Sequence, residues 1–203
     1  MPTLISTESL ASERTASYSK TATVPAGCTF MVAIIGHGTQ DAGDQTITGV
    51  TLAGDALTQR QAQANYGRVE AWTITNPQTG TLVVTNSAQE STKAVLFYLA
   101  GGVYSNGDVD TVTSNVTTCN ISAIAGDYII EGIVADNTKT YSGNTGQTEA
   151  QEDDIFGSKL ASYYLLATGV VSTVTILASG NVGFAHVAVV IHSAVGDQVI
   201  WFM

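Results

Sequence analysis

Short apolar or alternating runs return along the whole chain, each bounded by Gly, Pro, Asn or Asp, and no long segment holds a 3.6-residue period. That pattern restricts the fold more than any other feature of the sequence. Phe30-Met-Val-Ala-Ile-Ile35 lies between Pro25-Ala-Gly27 and Gly36-His-Gly38, the form of a buried strand. Arg68-Val-Glu-Ala-Trp-Thr-Ile-Thr75 alternates. Val69, Ala71, Thr73 and Thr75 share one face and Arg68, Glu70, Trp72 and Ile74 the other, because successive strand side chains point to opposite sides. Residues 45–52, 81–85, 94–99, 127–134, 159–166, 171–177 and 184–191 read as further strands. Ala53-Gly-Asp55 predicts a hairpin turn and Asn76-Pro-Gln-Thr-Gly80 a turn. Residues 111–121 read as a strand or two with a kink, and 87–93 have room for one helical turn. The polar, acidic stretch 136–158 reads as a long loop, the kind that carries function.

About ten to twelve antiparallel strands at this spacing predict an all-β chain, a single-domain β-sandwich of jelly-roll-like form. The 203 residues suit one domain and can bury a core without staples. Residues 1–14 are expected to form a short N-terminal arm and 197–203 an apolar tail, with no linker and no internal repeat strong enough to divide the chain.

Seven Lys and Arg against 17 Asp and Glu give a net charge of −10. That balance argues against a nucleic-acid binder, which needs cations to displace counterions, and against docking on an anionic membrane. Charged residues at 12% against hydrophobic ones at 44% exclude a disordered acidic tail. No apolar run approaches the ~20 residues of a spanning helix. The N-terminus shows no basic segment followed by an apolar one, so assembly in the cytoplasm that makes the chain is expected. Cys28 and Cys119 form no disulfide framework; they read as buried free thiols, with a bond between them left open.

No catalytic motif stands out. His186 and His192 share a face of one predicted strand roughly 20 Å apart, too far to hold one metal; His37 has no supporting ligand pattern. Metal ligands are therefore expected to be none, with Asp108 and Asp110 of Asn106-Gly-Asp-Val-Asp110 as the calcium candidates, because oxygen-rich loops suit that ion. Glu70 and Glu131 lie on predicted strands, where a glycosidase pair separated by roughly 5–9.5 Å would sit. A single Glu on an alternating strand reads more simply as a solvent-facing side chain, and no enzyme is expected. Tyr141, Tyr104 and Tyr66 are the candidate glycan contacts, having apolar rings with polar tips. Trp72, in mid-strand, reads as core. At the ends, Leu4, Ile5, Val199, Ile200, Trp201 and Phe202 are apolar and suit packing on a neighbouring subunit.

Ile47-Thr-Gly-Val-Thr-Leu-Ala-Gly-Asp-Ala-Leu-Thr58, then Arg68-Val-Glu-Ala-Trp-Thr-Ile-Thr-Asn-Pro77, then Gly80-Thr-Leu-Val-Val-Thr85 carry a resemblance. Together they resemble a β-sandwich module of bacteriophage particle proteins and bacterial secreted surface proteins. Ala53-Gly54 stands where that module has Gly-Gly, and Ala71 where it has Ile or Leu. The resemblance implies a virion structural protein: a capsid decoration, minor capsid or head-fibre subunit, assembled in a host cytoplasm. A homo-oligomer, with a trimer favoured, would meet the major capsid protein or other virion proteins. The alternative is a carbohydrate-binding module at a cell or particle surface, using calcium or no cofactor, with a host glycan as partner. Neither reading calls for nucleic acid or membrane insertion.

Overall fold

The computed structural model describes residues 1–38, 46–65, 67–143, 146–155 and 157–193. The chain is an all-β sandwich of two antiparallel sheets, and the described residues contain no helix. One contiguous half of the chain builds each sheet. The first half supplies β1 (Thr3–Ala22), β2 (Phe30–His37), β3 (Ile47–Leu52), β4 (Asp55–Ala56), β5 (Thr58–Ala64), β6 (Arg68–Thr75) and β7 (Gly80–Ala100). Its order is β4-β3-β7-β2-β6-β5, with β1 along β7. The second half supplies β8 (Val103–Ala123), β9 (Tyr128–Asp136), β10 (Tyr141–Gly143), β11 (Thr148–Ile155), β12 (Ser158–Leu166) and β13 (Val171–His192). Its order is β10-β13-β9-β12-β11, with β8 along β13.

Apart from the two-residue β4, which has no counterpart, the two orders match, with β8, β9, β10, β11, β12 and β13 in the places of β1, β2, β3, β5, β6 and β7. The molecule is therefore a topological repeat joined at Gly101-Gly102. Both halves even enter their central strand through the same turn. Cys28 N–H donates to the Pro25 carbonyl at 3.2 Å and Asp127 N–H to the Ile124 carbonyl at 3.1 Å. The third residue of each turn, Gly27 or Gly126, has a positive φ that glycine adopts without strain.

The inner faces of the sheets form the central core. Phe30, Val32, Ile34, Val69, Val95 and Phe97 meet Ile130, Val134, Leu160, Val187, Val189 and Ile191. A glycine in each central strand lets the other sheet in. A Cβ on Gly36 would stand 3.0 Å from both Leu160 Cδ1 and Val134 Cγ2, and one on Gly132 would overlap Ile34 Cγ2. The outer faces are covered differently. The long strands bend through irregularities, between Leu10 and Glu13 in β1 and between Leu177 and Val182 in β13, so each sheet folds back over its own outer face. In β8 the two arms meet at a seam where side chains replace a strand partner. Asn106, Asp108 and Asp110, at alternate positions, accept the N–H groups of Ser122, Asn120 and Thr118 at 3.1, 2.7 and 2.8 Å.

Several local expectations change. Residues 3–14 are the first part of β1 rather than a separate arm, and 87–93 continue β7 instead of forming a helical turn. Strand β8 runs through Ser105-Asn-Gly107, because that glycine answers a close approach and not a turn: a Cβ there would lie 2.5 Å from the Ala188 carbonyl oxygen. The 136–158 stretch contains β10 and β11. The Ala53-Gly54 hairpin forms as expected, with both residues at positive φ and Leu52 opposite Asp55.

Candidate functional site

The chemistry-bearing side chains gather on the outer face of the second sheet, inside the space closed by β8. Counting from the first paired residue of each central strand, Phe30 and Tyr128, Glu131 stands where the first half has Ala33. Glu131, His186 and Thr117 are all buried. His186 Nε2 lies 3.2 Å from Glu131 Oε2, and His186 Nδ1 lies 3.3 Å from Thr117 Oγ1. The Thr117 hydroxyl donates to Asp110 Oδ2 at 2.7 Å. At the other end Gln147 Nε2 donates to Glu131 Oε1. Burial works to raise the Asp110 pKa, but the bonds from Thr118 N–H and the Thr117 hydroxyl, with His186 nearby, outweigh it and hold the carboxyl below its ordinary range.

The first half has its own buried carboxylate at a different place. Glu70 on β6 accepts from Gln59 Nε2 at 2.7 Å, from Trp72 Nε1 at 2.8 Å and from the Arg68 guanidinium. The expectation of solvent-facing glutamates is therefore corrected: both are fully buried, because each sheet folds over its outer face. Nor do they face one cleft. Trp72, on the side of Glu70, packs in the outer core of the first sheet, and Glu131 lies on the outer face of the second. The intersheet core lies between them, and sheets pack about 10 Å apart.

The two described candidate glycan contacts are not open surface platforms. Tyr141 is 6% exposed on β10, edge-on to Phe184 with Lys159 above its ring. It was expected in an open loop; pairing of β10 with β13 carries it inward. Tyr104 is half-buried, with the Arg60 guanidinium 4.6 Å from its ring centre. Tyr66 lies outside the described residues. The calcium candidates Asp108 and Asp110 are committed to the β8 seam, and among the described residues no three His, Cys, Asp or Glu side chains are placed to hold a metal. Both cysteines are free. Trp72 is core, as expected. Gln147 stands in no motif, and Thr117 shows in the sequence only as the last residue of the glycosylation sequon Asn115-Val-Thr117, which says nothing of its buried role.

Of the expected assembly residues, Leu4 packs against the central core and Ile5 is exposed, while Val199, Ile200, Trp201 and Phe202 lie outside the described residues. Ile5 on β1 and Leu177 at the β13 bend are exposed singly, and the rest of the described apolar exposure lies near the turns of the second half. Met1, Val103, Ile124, Leu166 and Val170 are all exposed where the β8–β9 and β12–β13 turns meet the junction between the halves. Met1, Ile124, Ala125, Gly126, Asp127, His192 and Ser193 line a cavity of about 190 Å³ there. His192 Nδ1 stands 2.7 Å from Asp127 Oδ2 at its wall. Comparison with protein-family models, with curated proteins and with solved structures gave no match.

Proposed function

We propose that the chain is a non-enzymatic structural subunit of an assembled particle of the bacteriophage kind: a capsid decoration, minor capsid or head-fibre protein. It works as a homo-oligomer, with a trimer favoured, seated on the major capsid protein or other virion proteins. The observation that carries this reading is the apolar end. Ile124, which lines the cavity with Met1, is 58% exposed, and Val170 on the β12–β13 turn is 85% exposed. A monomer in water gains nothing from presenting these side chains together, whereas a neighbouring surface would bury them. The polar groups elsewhere are consistent with such a role, because the buried carboxylates are enclosed by their own donors. The resemblance to phage and surface modules supplies the particle context.

Light scattering of the full chain across a dilution series tests the reading. A stable trimer is expected, and Ile124→Asp with Val170→Asp should dissociate it, since two buried charges without partners oppose association. A wild-type chain that is monomeric at every concentration, alone and with capsid proteins, overturns it.

A further inference from the structure

We propose that the second half holds an internal water, bound between the Tyr163 hydroxyl and the side-chain carbonyl of Gln147, beside Glu131. Tyr163 sits directly opposite Glu131 in the β9–β12 register, so their side chains project from one face as neighbours. Gln147 reaches the same place, since its Nε2 bonds Glu131 Oε1. Tyr141 packs in the same apolar cluster as Tyr163, and the Gln147 side chain lies against Gly143. Here two buried polar atoms have no protein partner: the Tyr163 hydroxyl and Gln147 Oε1.

Their chemistry is complementary. A tyrosine hydroxyl has a proton to donate, and burial pushes the Tyr163 phenol well above its ordinary pKa, so that proton stays on. Gln147 Oε1 only accepts, its orientation being fixed by the donation from Nε2 to Glu131. One water accepts from the first and donates to the second, and buried waters characteristically satisfy two to four such groups. An unpaired buried hydroxyl and an unpaired buried carbonyl would each destabilise the fold. The matching place in the first half differs, for Trp72 stands opposite Ala33 where Tyr163 stands opposite Glu131, and the Trp72 N–H is taken by Glu70.

A crystal structure of the full chain at a resolution that shows ordered solvent, with the same structure of Tyr163→Phe and thermal unfolding of both, tests the proposal. Density within hydrogen-bond reach of both atoms is expected, lost in Tyr163→Phe, with the unfolding midpoint lowered by about 2–4 °C. A dry gap in the parent overturns the proposal. So does a midpoint that stays or rises in Tyr163→Phe, the sign expected when an unpaired hydroxyl is removed.

Discussion

The two halves share one topology and fill its outer face differently. In the first, Met31, Ala33, Ile35, Trp72, Ala94, Leu96 and Tyr98 form one apolar cluster with Tyr18 and Leu82 from the folded-over part of the sheet. In the second, the places of Ala33, Trp72 and Ala94 are taken by Glu131, Tyr163 and His186. The apolar layer there falls into two clusters, one around Cys119, Ile129 and Val190 and one around Ile133, Tyr163 and Phe184. The first half does not avoid a carboxylate; it places Glu70 where the second half has Ala161. Each half thus brings a glutamine, Gln59 or Gln147, to a glutamate buried on the outer face, Glu70 or Glu131, and the first half buries Glu90 on β7 as well. The strand plan leaves the position of the charge open but requires its donors to come with it, because an unpaired buried charge is far more costly than a paired one.

The strongest way to break the pairing of the halves is at their reciprocal glycines. Gly132→Val should prevent stable folding, because even a Cβ there overlaps Ile34 and also presses on Val69. Gly36→Ala meets its neighbours at 3.0–3.1 Å and should destabilise by about 1–3 kcal/mol, the usual range for overpacking. Urea unfolding of both variants checks the order; equal losses would contradict the tighter approach at Gly132.

The next effect sharpens the contrast between an apolar and a polar outer face. Glu131→Ala leaves His186 and Gln147 without their shared acceptor and should destabilise by about 3 kcal/mol. In a His186→Ala background, which restores the alanine the first half carries at that place, the same change should be milder by about 1–3 kcal/mol. A double-mutant cycle by chemical denaturation reads this coupling directly, and strict additivity would show that the two side chains do not act as a pair.

What the sequence disclosed follows from which interactions are local. Phe30–His37 and Arg68–Thr75 carry their pattern within eight residues each, and the face division of Arg68–Thr75 is the one observed, with Val69 and Ala71 in the central core and Trp72 buried on the outer face. The long strands were read in pieces because their bends are made by register irregularities at residues such as Leu10 and Thr15, which carry no turn signal. Asn106-Gly107 has the composition of a turn yet lies within β8, since a glycine required by Ala188 looks the same in sequence as one required by a turn. The repeat was hidden for a related reason: topology is kept while Ala33 and Glu131, or Trp72 and Tyr163, occupy matching places. Glu70 and Glu131 were visible as isolated carboxylates, but their burial depends on β1 and β8 folding over the sheets, which no local pattern encodes. Thr117 and Gln147 become meaningful only once strands distant in sequence meet.

The smallest effect concerns the seams that close the two outer faces. The first half ties β1 back with Glu8, which accepts Thr23 N–H at 3.2 Å, and with the Tyr18 hydroxyl donating to the Ala11 carbonyl at 3.1 Å. The second half uses the short ladder of Asn106, Asp108 and Asp110. Asp110→Asn keeps the size but loses the charge that Thr117 and Thr118 donate to, and should destabilise by about 1 kcal/mol at neutral pH. The pH dependence has a definite sign. Because Asp110 is held below its unfolded value, its contribution is present above the unfolded pKa of about 3.9 and is lost as pH falls through the folded one. The gap between parent and variant should therefore be full at pH 7 and narrow on acidification below about pH 4. Denaturation midpoints measured at pH 7, 5 and 3 decide it: a gap that stays constant would mean that the Asp110 charge is not what the seam uses, and that shape alone holds β8 closed.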